Sequence, residues 1–230
     1  MADYTLYTDS TPNPFKVHIL LEELGLDYES EHIDFSLEMQ KRPEFLSLNL
    51  NGKVPVLIDH TLDDLVIAES GAILIHLAEQ HGRFLPTEPV ARARVIQWVM
   101  WQMSALGPVF GNLMVFTGPF GNAQPQATAR FDAELRRLFG VLDKQLDGRD
   151  FVADEHSIAD IAIMGWMWPV ERIGWNLADW PNIERWHDGL QARGGYGRGF
   201  AAPGEKSEDV RMSGFVKAVV GLPSKDQKLP

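Results

Sequence analysis

The feature that most constrains the fold of this chain is a change of hydrophobic pattern near residue 86. Before it, short apolar runs alternate with amphipathic stretches, which is typical of strands alternating with helices. Strands are predicted at residues 4–7, 28–35, 54–58 and 64–68, and helices at 14–24, 43–48 and 70–80. Beyond the Leu-Pro-Thr-Glu-Pro of residues 85–89 the periodicity is helical, and all seven tryptophans lie there. The sequence therefore predicts two domains, residues 1–86 with the order βαβαββα and an all-α domain over residues 91–230.

Local signals place the helices of the second domain. Residues 91–103 are apolar almost all round, which indicates a helix buried on several sides, and Gly107-Pro108 is expected to bend or end it. Residues 124–146 form an amphipathic pattern. Ser157 can cap the next helix, with Asp160 where the acid of a capping box stands. Pro181 opens a further helix, which is expected to end before the glycine-rich residues 194–197.

Composition excludes several classes of function. The net charge is −11 and no run of Lys or Arg is present, which argues against DNA or RNA as a partner. The chain has no cysteine, so it cannot form a disulfide, a cysteine zinc site or a protein thiol nucleophile. Its seven histidines lack the spacing of metal ligands, so no metal is expected. The sequence begins without a signal-peptide pattern and has no apolar run near the ~20 residues of a membrane span, which predicts a cytoplasmic protein without a membrane partner.

Three short segments of the first domain carry groups that suit a small acidic peptide. They are residues 11–16 (Thr-Pro-Asn-Pro-Phe-Lys), 51–55 (Asn-Gly-Lys-Val-Pro) and 69–73 (Glu-Ser-Gly-Ala-Ile). Each lies at a predicted junction of strand and helix, where backbone N–H groups are free to bind an anion. A βαβαββα sheet with Val-Pro opening its third strand is the thioredoxin-like arrangement, in which a cis-proline exposes the preceding backbone to a peptide. A trans-proline at an ordinary strand start is the alternative for Pro55.

The groups in two of these segments match the parts of glutathione. Val54 can pair its backbone with the cysteine unit, and Lys53 can bind the glycine carboxylate. The Ser70 hydroxyl and the start of its helix can receive the α-carboxylate of the γ-glutamyl group, with Glu69 facing the ammonium. The ordinary alternative is a helix cap at Ser70 and a surface acid at Glu69.

The first segment stands where redox thioredoxin-like proteins have Cys-x-x-Cys. With no cysteine in the chain, the nucleophile must arrive with the ligand. The Thr11 hydroxyl, the Asn13 amide and the helix start could stabilise a bound thiolate and lower the pKa of the thiol. A simple cap and turn is the alternative for these two residues.

Taken together, these motifs resemble the glutathione transferase family, and within it the bacterial Nu class and the group of the yeast prion-like regulator. The resemblance extends through Gln97-Trp98, Trp101-Gln102, Gly107-Pro108 and the Ser-Ile-Ala-Asp of residues 157–160, and so covers nearly the whole chain. Pro14 departs from the glycine usual in this group. The resemblance implies thiol contacts from Thr11 and Asn13, a glycine-carboxylate site at Gln40 and Lys53, and an arginine from the helical domain at Arg130.

The resemblance also implies a homodimer and an activity. Nu-class enzymes reduce disulfides with two glutathiones and no protein cysteine, so a glutathione-dependent disulfide reductase acting on a small disulfide or electrophile is the leading expectation. Two alternatives stay open at this point. One is a glutathione lyase or β-etherase acting on aromatic electrophiles, for which the tryptophan-rich second domain is suitable. The other is a regulatory module that binds glutathione without turnover.

Overall fold

The computed structural model describes residues 2–117 and 124–203, and its first part is built on a four-stranded mixed sheet. The strands are β1 (Tyr4–Thr8), β2 (Tyr28–His32), β3 (Val56–Asp59) and β4 (Leu65–Ala68), in the spatial order β2-β1-β3-β4. β1 is parallel to β2, with Tyr4 opposite Tyr28, and β3 is antiparallel to both β1 and β4. This confirms the predicted α/β thioredoxin-like class. β2 ends three residues earlier than predicted, because Asp34 caps a 3-10 turn that begins at Phe35.

Nine helices of the described residues complete the fold. They are α1 (Pro12–Leu24), α2 (Pro43–Leu48), α3 (Ser70–His81), α4 (Pro89–Trp101), α5 (Gly107–Thr117), α6 (Pro125–Gln145), α7 (Ile158–Met164), α8 (Pro181–Gln191) and α9 (Gly194–Ala201). In the part of the chain that the structure describes, every strand precedes residue 69 and every element after it is a helix, which confirms the predicted all-α second part. The exact division at residues 86 and 91 stays a prediction. One hydrophobic core runs from Leu6 and Leu57 of the sheet to Leu142 and Trp186 of the helices.

Helix α1 is the element that joins the two parts. It begins at Pro12, two residues before the predicted start, and ends at Gly25 in the left-handed conformation (φ 72°), as predicted. It packs on both α3 and α9. The helix opened by Pro181 ends at Gln191, before the glycine-rich residues, as predicted. Those residues begin a further helix, α9, which the sequence analysis did not predict. Gly199 of α9 allows close packing on α1, since a Cβ there would lie 2.6 Å from the Ile19 Cα.

The helix that was expected to bend or end at Gly107-Pro108 does not end there. Residues Gln102–Leu106 form a π-helical turn, in which Gly107 N–H donates to the Gln102 carbonyl, and α4 and α5 become one continuous helix over Pro89–Thr117. Pro108 is tolerated because it stands at the start of α5, next to the altered hydrogen-bond pattern. By length and composition this helix could cross a membrane, contrary to the expectation that no span is present, and half of its most apolar window is buried in the fold.

The predicted capping box at the start of α7 is present. Ser157 Oγ accepts from the Ala159 N–H over 3.3 Å, and Asp160 Oδ2 accepts from the Ser157 N–H over 3.0 Å. Asp160 Oδ1 also accepts from Val152 N–H and Trp186 Nε1. Asp160 is fully buried, and burial raises the pKa of its carboxyl to about 6. The cap therefore fixes the start of α7, whose end lies beside α1.

Candidate functional site

A cavity of about 620 Å³ lies between the α/β part and the helices, within the size range of small-molecule sites. All three segments singled out from the sequence reach it. Thr11 and Asn13 come from the start of α1, Lys53 and Val54 from the turn before β3, and Glu69 and Ser70 from the start of α3. The opposite wall is formed mainly by α4, the π-helical turn, α5 and Trp166.

The start of α1 presents polar groups to this cavity. Thr11 is extended (φ −134°, ψ 160°), and its side chain does not cap the helix, so the hydroxyl is not used by the backbone of the first turn. The free N–H groups and the dipole of a helix start favour a negative charge there. Asn13 Oδ1 accepts a hydrogen bond of 3.1 Å from Trp166 Nε1. The Asn13 side chain is thus tied to the helical part of the molecule.

The turn before β3 has the backbone geometry suited to peptide pairing. The Val54–Pro55 peptide bond is cis, so the first of the two sequence alternatives is the one found. Pro55 itself is buried and does not line the cavity, whereas Val54 does. Asn49 Nδ2 donates to the Lys53 carbonyl over 2.8 Å and holds this turn. Lys53 is exposed at the cavity, and partial desolvation lowers the pKa of its ammonium.

The junction of β4 and α3 carries backbone strain at Glu69. This residue has a positive φ of 72° with ψ 115°, a conformation that costs of order 1–3 kcal/mol for a residue other than glycine. Its own side chain does not cap α3. Ser70 follows as the first residue of α3 and is almost fully buried. Glu69 and Ser70 both line the cavity.

Behind Ser70 lies a buried lysine. Lys16 is fully buried, and its Nζ donates to Gln102 Oε1 over 2.5 Å and to Ser70 Oγ over 3.4 Å. The thioether of Met103 lies 3.6 Å from the same nitrogen. Desolvation by burial holds the pKa of Lys16 well below its usual value, and the nearby charge of Glu69 opposes this in part. The Ser70 hydroxyl accepts from Lys16 Nζ and donates to the Met103 thioether over 3.9 Å, a weak acceptor that a ligand carboxylate would replace.

Comparison with known proteins identifies the family of this chain. The family model of the glutathione S-transferase N-terminal domain matches residues 2–79, and that of a glutathione S-transferase C-terminal domain matches residues 104–194. The disulfide-bond oxidoreductase YfcG of Escherichia coli is 40% identical over 195 residues, which cover 82% of this chain and 90% of that protein. The chain belongs to the glutathione S-transferase family.

Two further relatives show how varied the proteins of this family are. Protein URE2 of Eremothecium gossypii is 32% identical and matches 84% of this chain, which spans 66% of the length of URE2. A glutathione transferase from Burkholderia graminis, solved with two glutathione molecules bound per subunit, has a TM-score of 0.82 and 39% identity over 89% of this chain and 90% of that one. The relatives of this chain therefore include proteins named as enzymes and also URE2, whose name states no enzymatic activity.

Two residues that the family resemblance singled out do not line the cavity. Gln40 is buried, and in the described part of the chain its Oε1 has no hydrogen-bond partner. Its carbonyl lies 3.0 Å from where a Cβ on Gly52 would stand, so it packs against the turn that carries Lys53. Arg130 is exposed on α6. Contacts of these two side chains with glutathione stay predictions.

Among the cavity residues without an assigned role in the sequence analysis, four make the contacts described above: Lys16, Gln102, Met103 and Trp166. Lys16 stands inside the first segment. Gln102 is a polar residue in an otherwise apolar helical pattern, and this exception was the feature of the sequence that could have indicated a role for it. Nothing in the local sequence pairs Trp166 with Asn13, because 153 positions separate them. Across residues 2–117 and 124–203, no group of three or more His, Asp or Glu side chains could hold a metal ion.

Proposed function

We propose that this protein is a glutathione-dependent disulfide reductase, with glutathione as its co-substrate. The observation that carries the proposal is the helix start at Thr11 and Asn13, which opens into a cavity at the place of a redox cysteine in a chain without cysteine. The similarity to YfcG supports the reaction type. The Burkholderia graminis structure, with two glutathiones per subunit, supports the presence of two thiols in one site.

The reaction needs two glutathiones and no protein nucleophile. The thiolate of the first glutathione attacks one sulfur of the substrate disulfide, which forms a mixed disulfide and releases one substrate thiolate. The second glutathione thiolate attacks the glutathione sulfur of the mixed disulfide. This releases the other substrate thiolate, which takes up a proton, and leaves glutathione disulfide. Two glutathiones are oxidised by two electrons in total, and one substrate disulfide is reduced by two.

The chain contributes binding and charge stabilisation. The Thr11 hydroxyl, the Asn13 amide and the start of α1 stabilise the first thiolate. Val54 pairs with the cysteine unit through its backbone, and Lys53 binds the glycine carboxylate. Ser70, supported by Lys16, receives the γ-glutamyl carboxylate, while Glu69 binds the γ-glutamyl ammonium. Gln40 and Arg130 would complete the ligand contacts implied by the family.

The direct test is glutathione-dependent reduction of a small model disulfide by the purified protein. We expect turnover well above the uncatalysed rate, and Thr11→Ala and Asn13→Ala should each lower kcat by about 10-fold or more, the order lost when a donor to a developing charge is removed. Asn176→Ala is the matched control, since Asn176 caps a 3-10 turn outside the cavity. Turnover that both site variants leave intact would contradict the site, and no turnover would contradict the function.

A second candidate is glutathione binding without turnover. It is favoured by the similarity to URE2, whose name does not describe a transferase. Binding measured by calorimetry, together with inactivity toward disulfides and aromatic electrophiles, would support this candidate. Activity confined to aromatic ethers would instead support the lyase or β-etherase. A homodimer and a cytoplasmic location stay predictions, and light scattering of the purified protein tests the dimer.

A further inference from the structure

The side-chain amide of Asn13 is held from the helical part of the molecule. Trp166 Nε1 lies 3.1 Å from Asn13 Oδ1. An indole N–H can only donate a hydrogen bond, so the amide atom that faces it must be the oxygen. An asparagine without such a partner could turn either end toward a ligand. Here the oxygen is occupied, and the orientation of the amide is determined.

This orientation leaves the donor end of the amide for a ligand. Within residues 2–117 and 124–203 we find no acceptor for Asn13 Nδ2, and Asn13 lines the cavity. The nitrogen carries two N–H donors. Asn13 can therefore offer donors, rather than an acceptor, to a negatively charged atom in the cavity.

The indole that imposes this orientation is itself fixed by packing. Trp166 is buried, with its ring centroid 5.9 Å from that of Phe110. A Cβ on Gly111 would lie 3.3 Å from the indole Cη2, and one on Gly107 would lie 3.4 Å from Cε2. These two glycines of α5 have no side chain and so leave room for the Trp166 ring. Because the indole is held in place by this packing, it cannot move with the Asn13 amide if the amide rotates.

We propose that Trp166 is a positioning residue of the glutathione site, whose indole N–H holds the Asn13 amide so that Nδ2 donates to the glutathione sulfur. The inference rests on the proposed function, in which Asn13 contacts that sulfur. A hydrogen bond to the ionised form of a thiol favours ionisation. A residue of the helical part thus tunes the chemistry at the start of α1.

The test is Trp166→Phe, which removes the N–H and keeps an aromatic ring. Bound glutathione is titrated by the ultraviolet absorbance of its thiolate, and disulfide turnover is measured in parallel. We expect the pKa of the bound thiol to rise by about half a unit to one unit and kcat near neutral pH to fall by about three- to tenfold. Trp175→Phe is the matched control, because this buried indole packs on Phe139 and Trp180 away from the cavity. It should leave both values unchanged.

A double variant separates positioning from a general loss of structure. If Trp166 acts through Asn13, adding Trp166→Phe to Asn13→Ala should change neither the thiol pKa nor kcat further. A packing defect would instead lower kcat by the same factor in both backgrounds, and a matching fall of the thermal midpoint would accompany it. Equal loss in both backgrounds overturns the inference, as does a bound thiol pKa that Trp166→Phe leaves unchanged.

The outcome for the parent protein distinguishes this inference from the proposed function. Thiol ionisation that depends on Trp166, without disulfide turnover, would support the inference and contradict the reductase function. Turnover that is insensitive to Trp166→Phe would support the function and overturn the inference. Failure of the parent to bind glutathione would overturn both, since no sulfur would then contact Asn13.

Discussion

Lys16 Nζ donates to Gln102 Oε1 over 2.5 Å, and this bond joins α1 to the π-helical turn between α4 and α5. Both side chains are fully buried. The same nitrogen reaches Ser70 Oγ at the start of α3. A buried amine is tolerated only when acceptors replace the water that it loses. The position of Ser70 at the cavity therefore depends on a contact between the two parts of the molecule.

We expect Gln102→Leu to lower the free energy of unfolding by about 3 kcal/mol, because the buried amine loses its closest acceptor. Lys16→Met combined with Gln102→Leu should recover most of this loss, since neither an amine nor an amide is then buried. Urea unfolding at one fixed protein concentration measures both variants. A double variant no more stable than Gln102→Leu would mean that lost packing, rather than the buried amine, sets the cost.

Gly165 is predicted to tolerate no side chain. A Cβ there would lie 2.7 Å from the Pro12 carbonyl oxygen and 2.7 Å from Lys16 Cγ, so α1 would have to shift at its start. We expect Gly165→Ala to cost about 1–3 kcal/mol of unfolding free energy and to raise the KM for glutathione. Gly140→Ala is the control, because a Cβ at this position of α6 meets open space. It should gain about 0.5–1 kcal/mol. Thermal unfolding of the two variants checks both values.

Stability should fall at acid pH because of His18. This fully buried ring contacts Thr8 Oγ1 at 2.9 Å and the Tyr28 hydroxyl at 3.1 Å, and burial lowers its pKa from 6.5 to about 3. Between these values the unfolded chain binds a proton at His18 and the folded chain does not. The stabilisation is present above pH 6.5 and is lost as the pH falls, by about 2 kcal/mol at about pH 5.

The measurement is unfolding free energy against pH for His18→Gln and the parent. Between about pH 3 and pH 6.5, the unfolding free energy of His18→Gln should change less steeply with pH than that of the parent. The difference in slope should correspond to about one bound proton. Burial also lowers the pKa of His156 to about 3, so His156→Gln should have the same effect. In the double variant, the slope of unfolding free energy against pH should fall by the equivalent of two bound protons. Burial raises the pKa of Asp160 to about 6, so below about pH 6 protonation of this carboxyl stabilises the folded chain. This opposite effect is the same in the parent and in the variants. Parallel slopes for His18→Gln and the parent would contradict the prediction.

Lys53 is expected to act through the glycine carboxylate of glutathione alone. Lys53→Met should raise the KM for glutathione by about three- to tenfold with kcat nearly unchanged, since the lost contact is the same in the ground and transition states. With γ-glutamylcysteine, which lacks the glycine, parent and variant should have equal KM values. Steady-state kinetics with the two thiols provide the comparison. A variant equally impaired with both would place Lys53 elsewhere on the ligand.

The sequence allowed the strands, most helix bounds and the principal cavity residues to be predicted, because each depends on local pattern. Thr11, Val54 and Ser70 stand where a strand meets a helix, and such junctions are visible in the periodicity. A helix was expected to bend or end at Gly107, and it does not end there. A helix stop and a close packing contact both favour a residue without Cβ, and the difference lies in a distant neighbour, here Trp166, whose Cε2 would lie 3.4 Å from a Cβ on Gly107.

The sequence by itself determined the order of strands and helices in the first part of the chain, the family and the set of groups that a glutathione-sized ligand could meet. The tertiary structure alone decided which way those groups face. Gln102 lies 86 positions from Lys16 and Trp166 lies 153 positions from Asn13, yet these contacts orient the polar groups of the site. Hydrophobic periodicity repeats within a few residues and so predicts elements. A hydrogen bond needs atoms about 3 Å apart, and only the packed core brings residues so distant in sequence that close.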